Sequence, residues 1–131
     1  MRILVRLARV QGASRFIDIT QAHIDGCIFT GDALLRFAEL FADDGGHVAV
    51  PTTTNIISVD RDRWAAQGVS EEWAHKATKL GDAYLRMGAR PTFTCSPYQG
   101  PNPPAFGEQI AWAESNAIAF ANGALGARTN R

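Results

Sequence analysis

His23 and Asp25 stand two apart in "QAHIDGC", Thr52, Thr53, Thr54 and Asn55 form an unbroken polar run, and Cys95 sits in "RPTFTCSPYQG". A histidine titrates near neutrality and a nearby carboxylate orients its ring, so His23 with Asp25 has the makings of an acid–base pair. An isolated H-x-D is equally the makings of a turn whose aspartate bonds backbone amides. The TTTN run offers three hydroxyls and an amide, suited to holding a polar substrate and also ordinary in a loop. Cys95 has three readings: a small apolar residue, a nucleophile with His23 as its base, or a metal or iron–sulfur ligand. The last needs companions, because clusters are held by several thiolates, and Cys27 is the only other cysteine.

Elements must bring these groups together. Ile3, Leu4, Leu7 and Val10 lie opposite Arg2, Arg6 and Arg9, which predicts an amphipathic helix over 2–11, stopped by Gly12. "RFIDIT" (15–20) alternates apolar and polar like a strand, and "QAHIDGC" leaves it as a polar turn. Leu34, Phe37, Ala38 and Phe41 give a second helix, with Asp32 as its cap and Gly45-Gly46 as its end. "HVAV" reads as a short buried strand closed by Pro51, with TTTN beyond it. Ser70, Glu71 and Glu72 open a third helix carrying Trp73, Ala77, Leu80, Tyr84 and Met87, ended by Gly88. "RPTFTC" reads as a third strand, "YQGPNPPAFG" as a loop, and residues 108–125 as a last helix with Ile110, Ala113, Ala117, Ala121 and Ala124 inward.

Helices alternating with short strands predict an α/β layered domain with a short parallel sheet. Ligands in such sheets bind beyond the carboxyl ends of the strands. Parallel strands would set three polar groups on one rim: Gln21, His23 and Asp25; Thr52 to Asn55; and Cys95, Ser96, Tyr98 and Gln99. Glu108, Ser115 and Asn122, spaced by seven and flanked by Glu114 and Asn116, share a face of the last helix. That face carries hydroxyls and amides, favouring a polar site over a solvated surface. Arg128 or Arg131 could clamp an anion, or belong to a frayed terminus.

Composition narrows the classes. With 131 residues, 46% of them apolar, and a formal net charge of zero, the chain predicts one domain and no bulk electrostatic partner. No apolar run approaches a membrane span, no signal peptide is visible, and two cysteines suit a reducing, cytoplasmic compartment. Neither nucleic acid nor a membrane is expected as a partner. Apolar helix positions starting at Ile3 and a stop at "LGARTNR" predict either an economical domain or a piece cut from a longer one, with 1–131 as one partial domain.

"FIDITQAHIDGC", "AVPTTTNIISVD", "MGARPTFTCSPYQ" and "FGEQIAWAESNAIAFANGALGARTNR" together resemble consecutive segments of the aconitase X family. The resemblance runs along almost the whole chain. It implies an aconitase-like α/β catalytic region of a hydro-lyase that dehydrates a small hydroxy acid, cis-3-hydroxy-L-proline first and phosphomevalonate second. It implies iron or an iron–sulfur cluster, with Cys95 as one ligand and the others outside this chain. Thr53, Thr54, Asn55, Gln99 and Asn116 are then expected to line the substrate, and His23 and Ser115 are the candidates for proton transfer. The remainder of the large region and a small swivelling domain are the expected partners, and the chain alone is expected to be inactive. A non-catalytic remnant that binds a partner is the alternative.

Overall fold

The computed structural model of the chain describes residues 2–129. Its elements, in chain order, are α1 (Arg2–Val10), β1 (Gln21–Ile24), α2 (Asp32–Asp43), β2 (Thr52–Thr54) and α3 (Glu71–Arg86). A short 3-10 turn (Pro97–Gln99) follows, then β3 (Gln109–Trp112), α4 (Ser115–Gly123) and β4 (Arg128–Thr129). The strands form one sheet in the order β2-β1-β3-β4, and every pairing is parallel. The α/β class and the parallel sheet are therefore as expected.

Local chemistry explains α3 best. The Ser70 hydroxyl accepts the Trp73 N–H at 3.3 Å, Glu71 and Glu72 sit at the positive end of the helix, and Arg86 is in its last turn. Gly88, at φ 91°, takes the left-handed exit that a side chain resists. Small residues of α3, Ala77 and Ala83, let α2 approach, and Phe29, Leu35, Ala38 and Leu80 fill the seam. A second cluster forms where α4 lays Ala117 and Ala121 over Ile110 and Trp112 of β3.

Several expected boundaries move. The first strand is Gln21–Ile24 and not 15–20; Phe16 and Ile17 stay more than half exposed. Both stretches alternate, and partner strands decide between them: the Ala22 N–H reaches Pro51 O while His23 falls between Thr53 and Trp112. The second strand is the threonine run itself rather than "HVAV", whose Val48 N–H turns back to Met87 O; β-branched threonine suits a strand.

"RPTFTC" is not a strand. Its one bridge to the sheet is Arg90 to Thr53, the Thr94 N–H reaches Thr54 O at 3.2 Å beyond it, and Phe93 adopts φ 42°. Hydroxyls replace the ladder there. Thr92 Oγ1 accepts the Thr54 N–H at 3.0 Å and donates to Thr54 O at 2.9 Å, while Thr54 Oγ1 donates to Arg90 O at 2.9 Å. The expected helix over 108–125 is instead β3 followed by α4, so Glu108 shares no helical face with Ser115 and Asn122. Arg128 belongs to β4, where its N–H bonds Glu108 O at 2.8 Å; Arg131 lies outside the described residues.

The helix over 2–11 forms, but Ile3, Leu4, Leu7 and Val10 remain 51–84% exposed. Gly31, not Asp32, precedes α2; Asp32 sits in its first turn and pairs with Lys76 at 3.0 Å. Phe37 and Phe41 face outward, with rings 4.7 Å apart, and Leu35 takes the inner position with Ala38.

Candidate active site

Parallel register builds the site in rungs. Side chains two apart on a strand share a face, and paired residues in a parallel ladder point the same way. His23 pairs with Thr53 on one side and Trp112 on the other, forming a middle rung. Two residues further along each strand come Asp25, Asn55 and Glu114, at the carboxyl ends where ligands of such sheets bind.

Asn55 is fully buried and is the hub of the upper rung. Its Nδ2 donates to Asp25 Oδ1 at 2.6 Å and to Glu114 Oε2 at 2.8 Å, and its Oδ1 accepts the Ile56 N–H at 2.8 Å. One amide therefore bridges two carboxyl groups with its two hydrogens. Glu114 also caps α4, accepting the Ser115 N–H at 3.1 Å. The Asn55 amide, then a hydrogen bond with Asp25, and then the Ser115 N–H and hydroxyl, hold its carboxyl below the ordinary value of 4.5.

In the middle rung the His23 Nδ1 lies 2.7 Å from Thr53 Oγ1. His23 Nε2 and Trp112 Nε1 are both buried without a hydrogen-bond partner, on rings 6.3 Å apart and edge to face. Burial pulls the imidazole below 6.5, against the raising effect of Asp25 and Glu114, so the ring is neutral at physiological pH.

These shifts fix an acid response. The unfolded chain takes up a proton near pH 6.5 that buried His23 refuses, so stability falls as pH drops below 6.5. The contribution of Glu114 is fully present above pH 4.5 and is lost as pH falls below it. His23→Gln is expected to remove the first decline and keep the second, read from urea midpoints as a function of pH.

The remaining expected residues divide. Thr54 is fully buried and committed to Arg90 and Thr92. Ser115 and Asn116 are exposed on the first turn of α4; Ser115 Oγ is 3.4 Å from Glu114 Oε1, and Asn116 Nδ2 donates to the Cys95 carbonyl at 3.2 Å. That contact brings Cys95, half-buried before the 3-10 turn, beside α4. Gln99 is exposed at the end of that turn, and its side chain makes no hydrogen bond among the described residues. Tyr98 stacks on Phe120 at 4.2 Å. Cys27 is sealed in, and burial pushes its thiol up to about 11, which excludes it as a thiolate at neutral pH.

Sequence reasoning missed Glu114 as the partner of Asn55, 59 residues away, and Trp112 as the neighbour of His23. The available signal was a carboxylate at the junction of "QIAW" with an alanine-rich helix, the third strand end.

The family model described as Aconitase X first domain matches residues 1–131. The chain belongs to the aconitase X family. It is 57% identical over 129 residues to a cis-3-hydroxy-L-proline dehydratase of Hypocrea jecorina, covering 98% of this chain and 22% of that protein. It is 58% identical over 131 residues to one of Pseudomonas aeruginosa, covering 100% and 23%. Against the phosphomevalonate dehydratase large subunit of Methanothermobacter thermautotrophicus the identity is 41%, covering 100% and 33%. The crystal structure of Thermococcus kodakaraensis aconitase X in its holo form superposes with a TM-score of 0.87 at 40% identity, over 99% of this chain and 32% of that one. The chain thus spans between about a fifth and a third of the aconitase X proteins it matches.

An iron or iron–sulfur group needs several converging thiolates or imidazoles. Among the described residues no three His, Cys, Asp or Glu side chains converge to hold a metal, and one of the two thiols is enclosed. These residues do not by themselves form such a centre. No helix among them is long and apolar enough to cross a membrane.

Proposed function

We propose that the protein is an aconitase X-type hydro-lyase that dehydrates cis-3-hydroxy-L-proline. The observation carrying this is the 57–58% identity to two dehydratases of that name, against 41% to a phosphomevalonate dehydratase large subunit. The polar rim at the strand ends supports it: Asp25, Asn55 and Glu114 stand beside the exposed first turn of α4.

Dehydration moves a proton from the carbon alpha to the carboxylate onto a base, while the beta-hydroxyl leaves with a proton as water. Ser115, exposed at the rim with Glu114 beside it, faces that chemistry more directly than His23, whose free nitrogen is enclosed. His23 then acts on Thr53 as a positioning residue, and Asn116 holds the Cys95 segment against the rim. Cys95 contributes one ligand to an iron centre completed by residues outside this chain. The remaining large region and a smaller swivelling domain close over the rim. Two free cysteines suit a cytoplasmic location.

The test is an assay of the assembled protein with cis-3-hydroxy-L-proline and with phosphomevalonate, alongside iron analysis. Turnover of the first substrate is expected, with none from the 131-residue chain alone and less iron in Cys95→Ala. Turnover of phosphomevalonate only would reverse the substrate order. Activity in the lone chain would refute the need for partners, and unchanged iron would remove Cys95 from the centre.

A further inference from the structure

Among the described residues Phe93 is the one non-glycine with a positive φ, at 42°. That conformation crowds a bulky side chain against its own backbone and persists only where the surroundings impose it. Regular parallel pairing would follow the Arg90 N–H to Thr52 O bond with the Thr92 N–H on Thr54 O. Instead the Thr92 N–H turns back to Arg90 O at 2.8 Å, and the Thr94 N–H takes Thr54 O at 3.2 Å. Two extra residues are thus looped out beside β2, with Phe93 in the loop and its N–H on Thr54 Oγ1 at 3.3 Å.

The Phe93 ring is held from the other side. Arg61 Cζ lies over it, 5.2 Å from the centroid, a cation on an aromatic face. The guanidinium is fixed in turn, since Nη2 donates to Asp82 Oδ1 at 2.8 Å. Asp60 Oδ1 accepts the Asp62 and Arg63 N–H groups at 2.9 and 3.0 Å, which sets the backbone around Arg61. Gly81 of α3 leaves room for the stack: a Cβ there would stand 3.1 Å from Arg61 Nη2 and 3.7 Å from the Phe93 ring.

Cys95 follows two residues after Phe93. The Ser96 N–H turns back to Thr94 Oγ1 at 3.0 Å, and the Cys95 carbonyl accepts from Asn116 Nδ2 at 3.2 Å. The looped-out pair therefore carries the chain from the sheet edge at β2 to the first turn of α4, next to Ser115 and Glu114. Bulges beside active sites re-aim the residues that follow them. We propose that Phe93 and Arg61 are positioning residues, the clamped ring holding the bulge that presents Cys95 at the rim. The assignment rests on the reading of that rim as the place of dehydration, and adds to it two residues that stand outside it.

The test follows iodoacetamide alkylation of the two thiols in the 131-residue chain, read peptide by peptide by mass spectrometry. Cys27 is enclosed and reports global opening, whereas half-buried Cys95 also reports local release of the bulge. Arg61→Met and Phe93→Ala are expected to raise the Cys95-to-Cys27 rate ratio roughly fivefold or more, and Phe93→Tyr to keep the parent ratio. Phe93→Gly relaxes the backbone but drops the ring, so it too should raise the ratio. An unchanged or lower ratio in Arg61→Met and Phe93→Gly overturns the clamp. In the assembled protein, hydroxyproline kcat should fall about as far in Phe93→Ala, at unchanged KM, and return in Phe93→Tyr. A raised ratio with parent-like turnover would overturn the positioning role. Turnover of hydroxyproline with an unchanged ratio would leave the dehydratase reading standing without the clamp. A raised ratio in an assembled protein that turns over no hydroxyproline would do the reverse.

Discussion

Replacing Asn55 with alanine is expected to destabilise the fold by about 2–4 kcal/mol, because it strands several polar groups at once. Asn55 is fully buried, and its amide is what Asp25 and Glu114 share. Without it Asp25 and Glu114 lose the donor they share, and the Ile56 N–H loses its acceptor. Asn55→Asp separates charge from packing. It keeps the shape but sets three carboxylates together, so one must stay protonated or repel the others. The aspartate variant is therefore expected to lose more than alanine at neutral pH. It should regain part of the difference on acidification, opposite to the trend of the unsubstituted protein. Urea midpoints at unchanged slope, measured at pH 7 and pH 5, check both. A loss below about 0.5 kcal/mol in Asn55→Ala would mean that the carboxylates find other partners at no cost.

The second large effect belongs to Trp112. It is among the largest fully buried side chains and joins β3 to α4 through Ala117 and Ala121. Trp112→Ala is expected to cost about 3–5 kcal/mol, since the rigid sheet and helix around it close only part of the hole. Trp112→Phe should cost far less than that. It keeps a ring in the cluster and removes an indole N–H that has no acceptor, a group whose burial is unfavourable. The gap between the two substitutions, read from denaturation midpoints, reports packing with the orphaned donor subtracted. Equal losses would contradict it.

How much of this was legible in the sequence follows from how local each signal is. α3 was legible nearly residue by residue, because Ser70, the acidic first turn and Gly88 act on backbone within a few positions. The sheet was legible in kind but not in place. Whether 15–20 or 21–24 pairs is decided by Pro51 and Gln109, far along the chain, and a shift of frame leaves alternation looking much the same. β3 was hidden because Ile110, Ala113, Ala117 and Ala121 keep a helical spacing across a real boundary, which Glu114 caps without being a common capping residue. Of the site, Asp25 and Asn55 were legible as polar residues after strands. Their tie to Glu114 was not, because a hydrogen bond across 59 positions leaves no local trace. Two of the three expected strand ends met on one rim, and the third expected one, ending at Cys95, is not a strand; Glu114 between β3 and α4 takes that place.

The exposed apolar side of α1 carries a consequence in helix–coil terms. Nine residues are fewer than an isolated helix needs to repay its nucleation in water, and no α1 side chain is buried to supply the difference. The arginine stripe adds like charges at Arg2, Arg6 and Arg9, three or four positions apart, which oppose the helix slightly further. The helicity of this segment is therefore set by whatever apolar surface meets Ile3, Leu7 and Val10. Its amides would exchange with solvent almost as a coil does until that surface is present, while those of α3 exchange only when the domain opens.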